Sequence, residues 1–141
     1  KDFKGALSDY SKAIEIDPNN LYGFYNRGVV KNLLKDFKGA LSDYSKAIEI
    51  DPTFINSYIN LALIKEQEFQ DYSGSIADLN EVIRIDKNFA LAYYNRGVVK
   101  DKLKDHSSAN EDYTKSIQLD PKYANAYFNR GLNKYEQLQI L

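Results

Sequence analysis

Cysteine, methionine and tryptophan are all missing from the 141 residues, and histidine occurs once. Without cysteine there is no disulfide scaffold, thiol nucleophile or cysteine metal knuckle, and the redox compartment is left open. With His106 as the lone imidazole, any Ser-His-Asp arrangement or imidazole metal site would have to rest on that one residue. A surplus of one charge sign is also missing. Nineteen Lys and Arg against 20 Asp and Glu give a formal net charge of -1, which supplies no overall attraction to nucleic acid or an anionic membrane. No apolar run approaches the roughly 20 residues that span a bilayer, and the first residues lack a signal-peptide layout. Lys1 is not an initiator methionine, so the chain is expected to be a segment of a longer protein. What is present, 43% hydrophobic and 28% charged residues, fits a folded, water-soluble chain.

The dominant positive signal is repetition. Residues 1–18, KDFKGALSDYSKAIEIDP, recur unchanged as residues 35–52, and degraded copies begin at Asp71 and Asp105. One residue is inserted near Phe69. A second kind of segment alternates with the first: FYNRGVVK from Phe24, YINLALIK from Tyr58, YYNRGVVK from Tyr93 and YFNRGLNK from Tyr127.

Both kinds read as helices. Phe37, Leu41, Tyr44 and Ile48 are spaced by four, three and four residues, which makes one apolar stripe. Asp36 stands at the N-cap, and Asp51-Pro52 is expected to end the helix because a residue before proline disfavours the α conformation. In the other kind, Tyr22, Tyr25, Asn26 and Val29 share one face while Phe24, Gly28 and Lys31 lie opposite. Gly28, Gly97 and Gly131, with Ala62 as the fourth, suit a close crossing of two helices.

A helix pair recurring every 34 residues resembles the tetratricopeptide repeat. The best unit reads Phe24, Arg27-Gly28, Lys31, Ala40, Tyr44 and Pro52, followed by Tyr58/Ala62/Ser75/Leu79 and Tyr93/Gly97/Ala109/Tyr113/Pro121. Two departures recur. Arg27, Arg96 and Arg130 replace the family's Leu, and Lys31, Lys65, Lys100 and Lys134 replace its second aromatic. The resemblance implies an all-α fold, a right-handed superhelical solenoid of antiparallel helix pairs with about eight helices. The expected layout is a single array: a second helix of a partial repeat over 1–18, repeats at 21–54, 55–89 (with the inserted residue) and 90–123, and a first helix of a partial repeat over 124–141.

It also implies a non-catalytic protein–protein interaction scaffold whose first helices line a concave groove for a partner's peptide segment. Carried over position by position, the groove residues are Tyr22, Tyr25, Asn26 and Val29; Asn56, Ile59, Asn60 and Leu63; Leu91, Tyr94, Asn95 and Val98; and Asn125, Phe128, Asn129 and Leu132. Asn32, Glu66, Asp101 and Tyr135 extend the same rows. Asn26, Asn60, Asn95 and Asn129 occupy one equivalent position, and a row of carboxamides offers a peptide backbone the complementary donor and acceptor. A local packing role for these asparagines is the competing reading. The family's clamp for chaperone C-terminal tails uses Lys and Asn on one first helix, Asn on the next, and Lys and Arg on a third. Those positions here hold Tyr25, Val29, Asn60, Leu91 and Asn95, so only the central Asn survives, no cation is available and a chaperone-tail adaptor is not expected.

Chemistry beyond binding finds little support. His106 stands where Phe3, Phe37 and Tyr72 stand in the other repeats and is expected to fill a packing position. Gly5, Gly39 and Gly74 occur singly, so no glycine-rich phosphate loop is present. No enzyme activity, cofactor or metal is expected, and the partners are a protein or peptide rather than nucleic acid, with no membrane span. Asp9, Asp43, Asp78 and Asp112 recur at one position of the second helix. Arg27, Arg96 and Arg130 are expected to pair with the preceding Asp9, Asp78 and Asp112, an arrangement that satisfies all three. The alternative function is end-to-end self-association, in which the terminal stripe of Leu132, Tyr135, Leu138, Ile140 and Leu141 covers Phe3, Leu7 and Tyr10 of another copy.

Overall fold

An aspartate opens every second helix. In the computed structural model, which describes residues 1–140, the side chains of Asp2, Asp36, Asp71 and Asp105 accept hydrogen bonds from the backbone N–H of Gly5, Gly39, Gly74 and Ser108, at 2.8–3.1 Å. Each bond satisfies a donor that the first helical turn cannot pair internally. The described residues form eight helices: α1 (Phe3–Ile16), α2 (Leu21–Leu33), α3 (Phe37–Ile50), α4 (Ile55–Gln67), α5 (Tyr72–Ile85), α6 (Ala90–Lys102), α7 (His106–Leu119) and α8 (Ala124–Gln139). The expected all-helical repeat architecture is what the chain adopts, and no helix among the described residues is long and apolar enough to cross a membrane.

Proline is not required to end the second helices. Asp51 and Asp86 both take an extended conformation at the C-cap, yet residue 87 is Lys, not Pro. What they share is the aspartate side chain, which accepts from the backbone N–H two residues on, Thr53 and Asn88, at 2.9 Å. This side-chain turn competes with continued helix and is sufficient without the ring.

The chain divides into two compact units, residues 1–69 and 70–141, and the boundary coincides with the inserted residue. In the first unit α2 lies between α1 and α3, and α3 packs on α4. Its core joins Ala40 and Tyr44 of α3 to Leu61 and Ile64 of α4, with Tyr25 and Val29 of α2 packed against them. In the second unit α6 lies between α5 and α7, and α7 packs on α8. There Ala109, Tyr113 and Ile117 of α7 meet Ala126 of α8, flanked by Tyr94, Val98 and Tyr123.

The glycines mark the close crossings. A Cβ placed on Gly28 would lie 2.8 Å from Cε1 of Tyr44, and one on Gly97 would lie 2.7 Å from Cε1 of Tyr113. Each tyrosine ring therefore lies in the space that a side chain would otherwise need.

The arginine expectation is overturned. Arg27 forms a two-pronged pair with Asp43, not Asp9: Nε donates to Oδ2 at 2.9 Å and Nη2 to Oδ1 at 2.7 Å. Arg96 binds Asp112 in the same way, at 2.9 and 2.6 Å, instead of Asp78. The reason is the glycine crossing, which draws α3 onto α2 and α7 onto α6 so that the aspartate lies within reach of the planar fork. The remaining nitrogen, Nη1, reaches back to the preceding second helix, binding Ser11 from Arg27, Asn80 from Arg96 and Thr114 from Arg130. Arg130 has no carboxylate partner among the described residues, unlike in the expected pairing, which gave it Asp112.

Two of the lysine departures, Lys31 and Lys100, belong to the same device. Lys31 and Lys100 each approach the aspartate from one turn further along, at 2.8 Å, so Asp43 and Asp112 each hold two cations while remaining almost wholly buried. Each guanidinium also lies over the aromatic ring three residues earlier, Phe24, Tyr93 or Tyr127, at 5.5–5.7 Å from the ring centroid. An Arg-Lys-Asp cluster thus replaces apolar contacts at the crossing.

Three buried serine hydroxyls, those of Ser57, Ser75 and Ser116, have no hydrogen-bond partner among the described residues. Ser116 is fully buried and its Oγ has no hydrogen-bond partner, while Ala47 and Val82 fill the equivalent place in α3 and α5 and are equally buried. Ser116→Ala is expected to raise stability by about 0.5–1.5 kcal/mol, because an unpaired buried hydroxyl carries a desolvation cost that the methyl group does not. A urea midpoint lower than that of the parent chain would contradict this.

Candidate functional site

The faces that the sequence assigns to a groove are described unit by unit. In the first unit, Tyr25 packs edge-on to Phe54 at 5.1 Å and tilted against Tyr44 at 5.8 Å, and Tyr22 meets Phe54 edge-on at 5.9 Å. These rings make an aromatic wall whose outer end, Tyr22, is 63% exposed. Asn26, Val29, Asn60 and Leu63 are half-buried and Asn56 is exposed. Ile59 is buried, at 9% exposure, and presents little surface. Glu66 is buried as well.

The second unit repeats the wall and adds a pocket. Tyr94 packs on Tyr113 at 5.9 Å and on Tyr123 at 4.9 Å. Leu91, Asn125, Phe128 and Leu132 are exposed, whereas Asn95 and Asn129 are half-buried. Val98 and Leu132 join Asn129 and Asp101 around an open pocket of ≈ 290 Å³, with Tyr113, Asn133, Lys102 and Lys104 completing the lining. Lys102 and Lys104 lie outside the sequence-derived groove rows, and they place positive charge at a face that the row positions alone make nearly neutral.

The asparagines divide into two sets. Nδ2 of Asn60 donates to the hydroxyl of Tyr25, and Nδ2 of Asn129 donates to the hydroxyls of Tyr94 and Tyr113, each at 3.4 Å. These are long bonds. They hold the amide beside the aromatic wall of the preceding first helix, so Asn60 and Asn129 have a local role. No such tie to a tyrosine engages Asn26 or Asn95 among the described residues.

At the floor of the second unit's pocket lies a polar cluster absent from the sequence reading. Asp101 accepts from the Tyr113 hydroxyl at 2.5 Å and from Nδ2 of Asn133 at 2.8 Å, and Nδ1 of His106 lies 2.9 Å from its Oδ1. Asn133 also donates to Oδ1 of Asn110 at 3.0 Å. His106 is therefore a polar partner at the start of α7 rather than a simple replacement for a packed ring. Burial, reinforced by the bond to Asp101, raises the pKa of Tyr113 well above the usual phenol value, and burial raises that of Tyr44. Both tyrosines stay neutral hydrogen-bonding groups over any physiological pH. Among the described residues no group of three or more His, Asp or Glu is placed to hold a metal ion.

Comparison with known proteins agrees with this architecture. Sequence models described as tetratricopeptide repeat match residues 22–54 and 90–123, and one described as TPR repeat matches residues 1–34. No curated protein matches the sequence. Among solved structures, MamA is similar with a TM-score of 0.89 at 28% identity, covering 96% of this chain and 79% of its own. The first TPR of Spaghetti (RPAP3), bound to the HSP90 peptide SRMEEVD, has a TM-score of 0.79 at 18% identity, covering 86% of this chain and 96% of its own. YrrB, a TPR protein with an unusual peptide-binding site, has a TM-score of 0.81 at 19% identity, covering 96% of this chain and 70% of its own. With repeat models matched over both units, and with the recurring glycine crossing, aspartate caps and aromatic wall, the chain belongs to the tetratricopeptide repeat family.

Proposed function

We propose that the chain is a non-catalytic scaffold that binds a peptide segment of a partner protein along the first-helix faces of its units. The observation that carries this reading is the open pocket of the second unit, in which Val98 and Leu132 offer apolar surface beside the carboxamide of Asn129. Apolar surface together with a few polar groups is the composition of a recognition pocket. The exposure of Phe128, at 70%, adds apolar area next to it on α8. Lys104 at the pocket's lining suits an acidic or mixed segment over a strongly basic one. Two neighbours of the same fold, the Spaghetti domain and YrrB, are described with a peptide or a peptide-binding site, and that use is carried over here as part of the proposal.

The test begins with a displayed peptide library, selected on the immobilised chain. Asn95→Ala removes a carboxamide that is not tied to a tyrosine, and Leu132→Ala removes part of the pocket wall. Each is expected to weaken a selected peptide by about 1–3 kcal/mol, read by calorimetry, with the thermal midpoint unchanged. Selected peptides that bind both variants as tightly as the parent chain would end the reading.

A further inference from the structure

We infer that the pocket of the second unit receives a lysine or arginine side chain of the bound segment, and that the carboxylate of Asp101 is the group that selects it. This rests on the peptide-binding reading and names the residue type read at that site.

What a pocket reads depends on which of its donors and acceptors are already spent. Around Asp101 the donors are spent. Both hydrogens of Asn133 Nδ2 have partners, Oδ1 of Asp101 at 2.8 Å and Oδ1 of Asn110 at 3.0 Å. Those of Asn129 Nδ2 are directed at the hydroxyls of Tyr94 and Tyr113, and the Tyr113 hydroxyl gives its own hydrogen to Oδ2 of Asp101. Acceptors remain. Oδ1 of Asn129 has no donor among the described residues, and Oδ2 of Asp101 holds one partner where Oδ1 holds two, Asn133 and His106. An anion reaching the floor would meet a carboxylate and no free donor from these groups. A ligand carrying N–H donors meets two acceptors, one of them charged.

Charge decides between a neutral donor and a cation. Asp43 and Asp112 each hold an arginine and a lysine, but the ion-pair partner of Asp101 among the described residues is His106, at 2.9 Å. The Asp101 side chain keeps 21% of its surface accessible, so a cation reaches it without the full cost of burying both charges. Lys102 and Lys104 line the same pocket, and both are exposed. Their charges stand in water and are strongly screened, whereas the field of the half-buried carboxylate is screened less. The lysines therefore leave the pocket open to a cation and favour an acidic residue next to it in the segment, which is the mixed composition that Lys104 admits.

Shape agrees with this choice. Val98 and Leu132 form an apolar wall, and lysine and arginine each carry an alkyl stem before the charged end. At ≈ 290 Å³ the pocket lies at the lower end of the roughly 300–1,000 Å³ of ligand sites, which suits one long side chain better than a separate small molecule.

The fold does not itself require the carboxylate. In the first unit the equivalent places hold Asn32, Phe37 and Ile64, and Ile64 is buried in the core with Phe37 packed against it. Uncharged residues satisfy the packing there. In the second unit Asp101, His106 and Asn133 take those places, and hydrogen bonds from the last two hold the carboxylate at the pocket.

The experiment pans a random displayed peptide library in parallel on the immobilised 141-residue chain and on its Asp101→Asn variant. Binders of the parent are expected to share a lysine or arginine with an acidic residue near it, and binders of the variant to lack the shared basic residue. Because Asp101→Asn also alters the bonds to Tyr113 and His106, a second measurement leaves the protein unchanged. Replacing the shared basic residue of a parent-selected peptide by Gln is expected to weaken binding about 10–100-fold in calorimetry. On Asp101→Asn the same replacement is expected to cost less than about threefold. Parent binders with no basic residue in common, or a shared one whose replacement costs the same on both proteins, overturn the inference and leave the scaffold reading standing. A library that yields no binder at all ends both.

Discussion

Asp112→Ala is expected to lower stability by about 2–4 kcal/mol, one of the two largest single-residue effects in the chain. The side chain of Asp112 is 5% exposed and is held by Nη2 of Arg96 at 2.6 Å and by Nζ of Lys100 at 2.8 Å. Removing it leaves two cations in a mostly desolvated crossing with no counterion, and that uncompensated charge, more than any lost attraction, is the source of the penalty. The value lies below the range for a fully buried pair because the Arg96 and Lys100 side chains keep about a fifth of their surface in water. Asp112→Asn retains a hydrogen-bond acceptor for the guanidinium without the charge, so it should fall between the parent and the Ala variant. Urea unfolding at unchanged slope measures the difference, and repeating it in roughly 1 M salt separates this cluster from an exposed pair, whose contribution screening would erase. A loss under about 1 kcal/mol would place the cluster with ordinary surface ion pairs.

The arginine error shows which inferences repeat sequences support. Helix type and number were readable because the second helix of each pair is set locally, by an aspartate at the N-cap and an apolar stripe behind it, and the first helices repeat between them. The identity of the arginine's partner is a tertiary fact. Pairing with the preceding Asp9, Asp78 and Asp112 satisfies every arginine, but nothing requires a chain to satisfy every arginine, and the glycine pattern indicates a close crossing without saying that α3 rather than α1 makes it at Gly28. The lysine that replaces the family's aromatic one turn after the arginine was the corroborating signal, since two cations on one face imply a shared anion.

The polar cluster on Asp101 was also partly legible. Asn133 stands where Val30, Ile64 and Val99 stand, His106 where Phe3, Phe37 and Tyr72 stand, and Asp101 where Asn32 stands. Two polar departures from the repeat pattern, His106 and Asn133, meet at the carboxylate of Asp101, whose own position is polar in two of the other repeats. The division of the asparagines was not legible. Equivalent positions make Asn26, Asn60, Asn95 and Asn129 look alike, and only the placement of the Tyr25, Tyr94 and Tyr113 hydroxyls separates Asn60 and Asn129 from the others.

Gly97→Ala is the second large effect, with an expected loss of about 1–3 kcal/mol where helix propensity alone would predict a gain. The added methyl would sit 2.7 and 2.9 Å from two carbons of the Tyr113 ring and 3.2 Å from the backbone oxygen of Ala109. The ring cannot swing aside: it is fully buried, packed at a tilt against Tyr94, and its hydroxyl is fixed to Asp101. Relief must come from separating α6 and α7, which also stretches the Arg96–Asp112 pair across the same crossing. Gly131→Ala is the internal control, because its methyl meets nothing within 4 Å and should stabilise α8 by about 0.5–1 kcal/mol through reduced chain entropy. The repeat with alanine at this position, Ala62, carries Leu79 in place of the tyrosine. Tyr113→Leu should accordingly make Gly97→Ala far less costly, so the double variant is expected to be more stable than the sum of the two single losses by at least about 1 kcal/mol. Strict additivity in a thermal or urea double-mutant cycle would mean that the glycine is retained for some reason other than the ring against it.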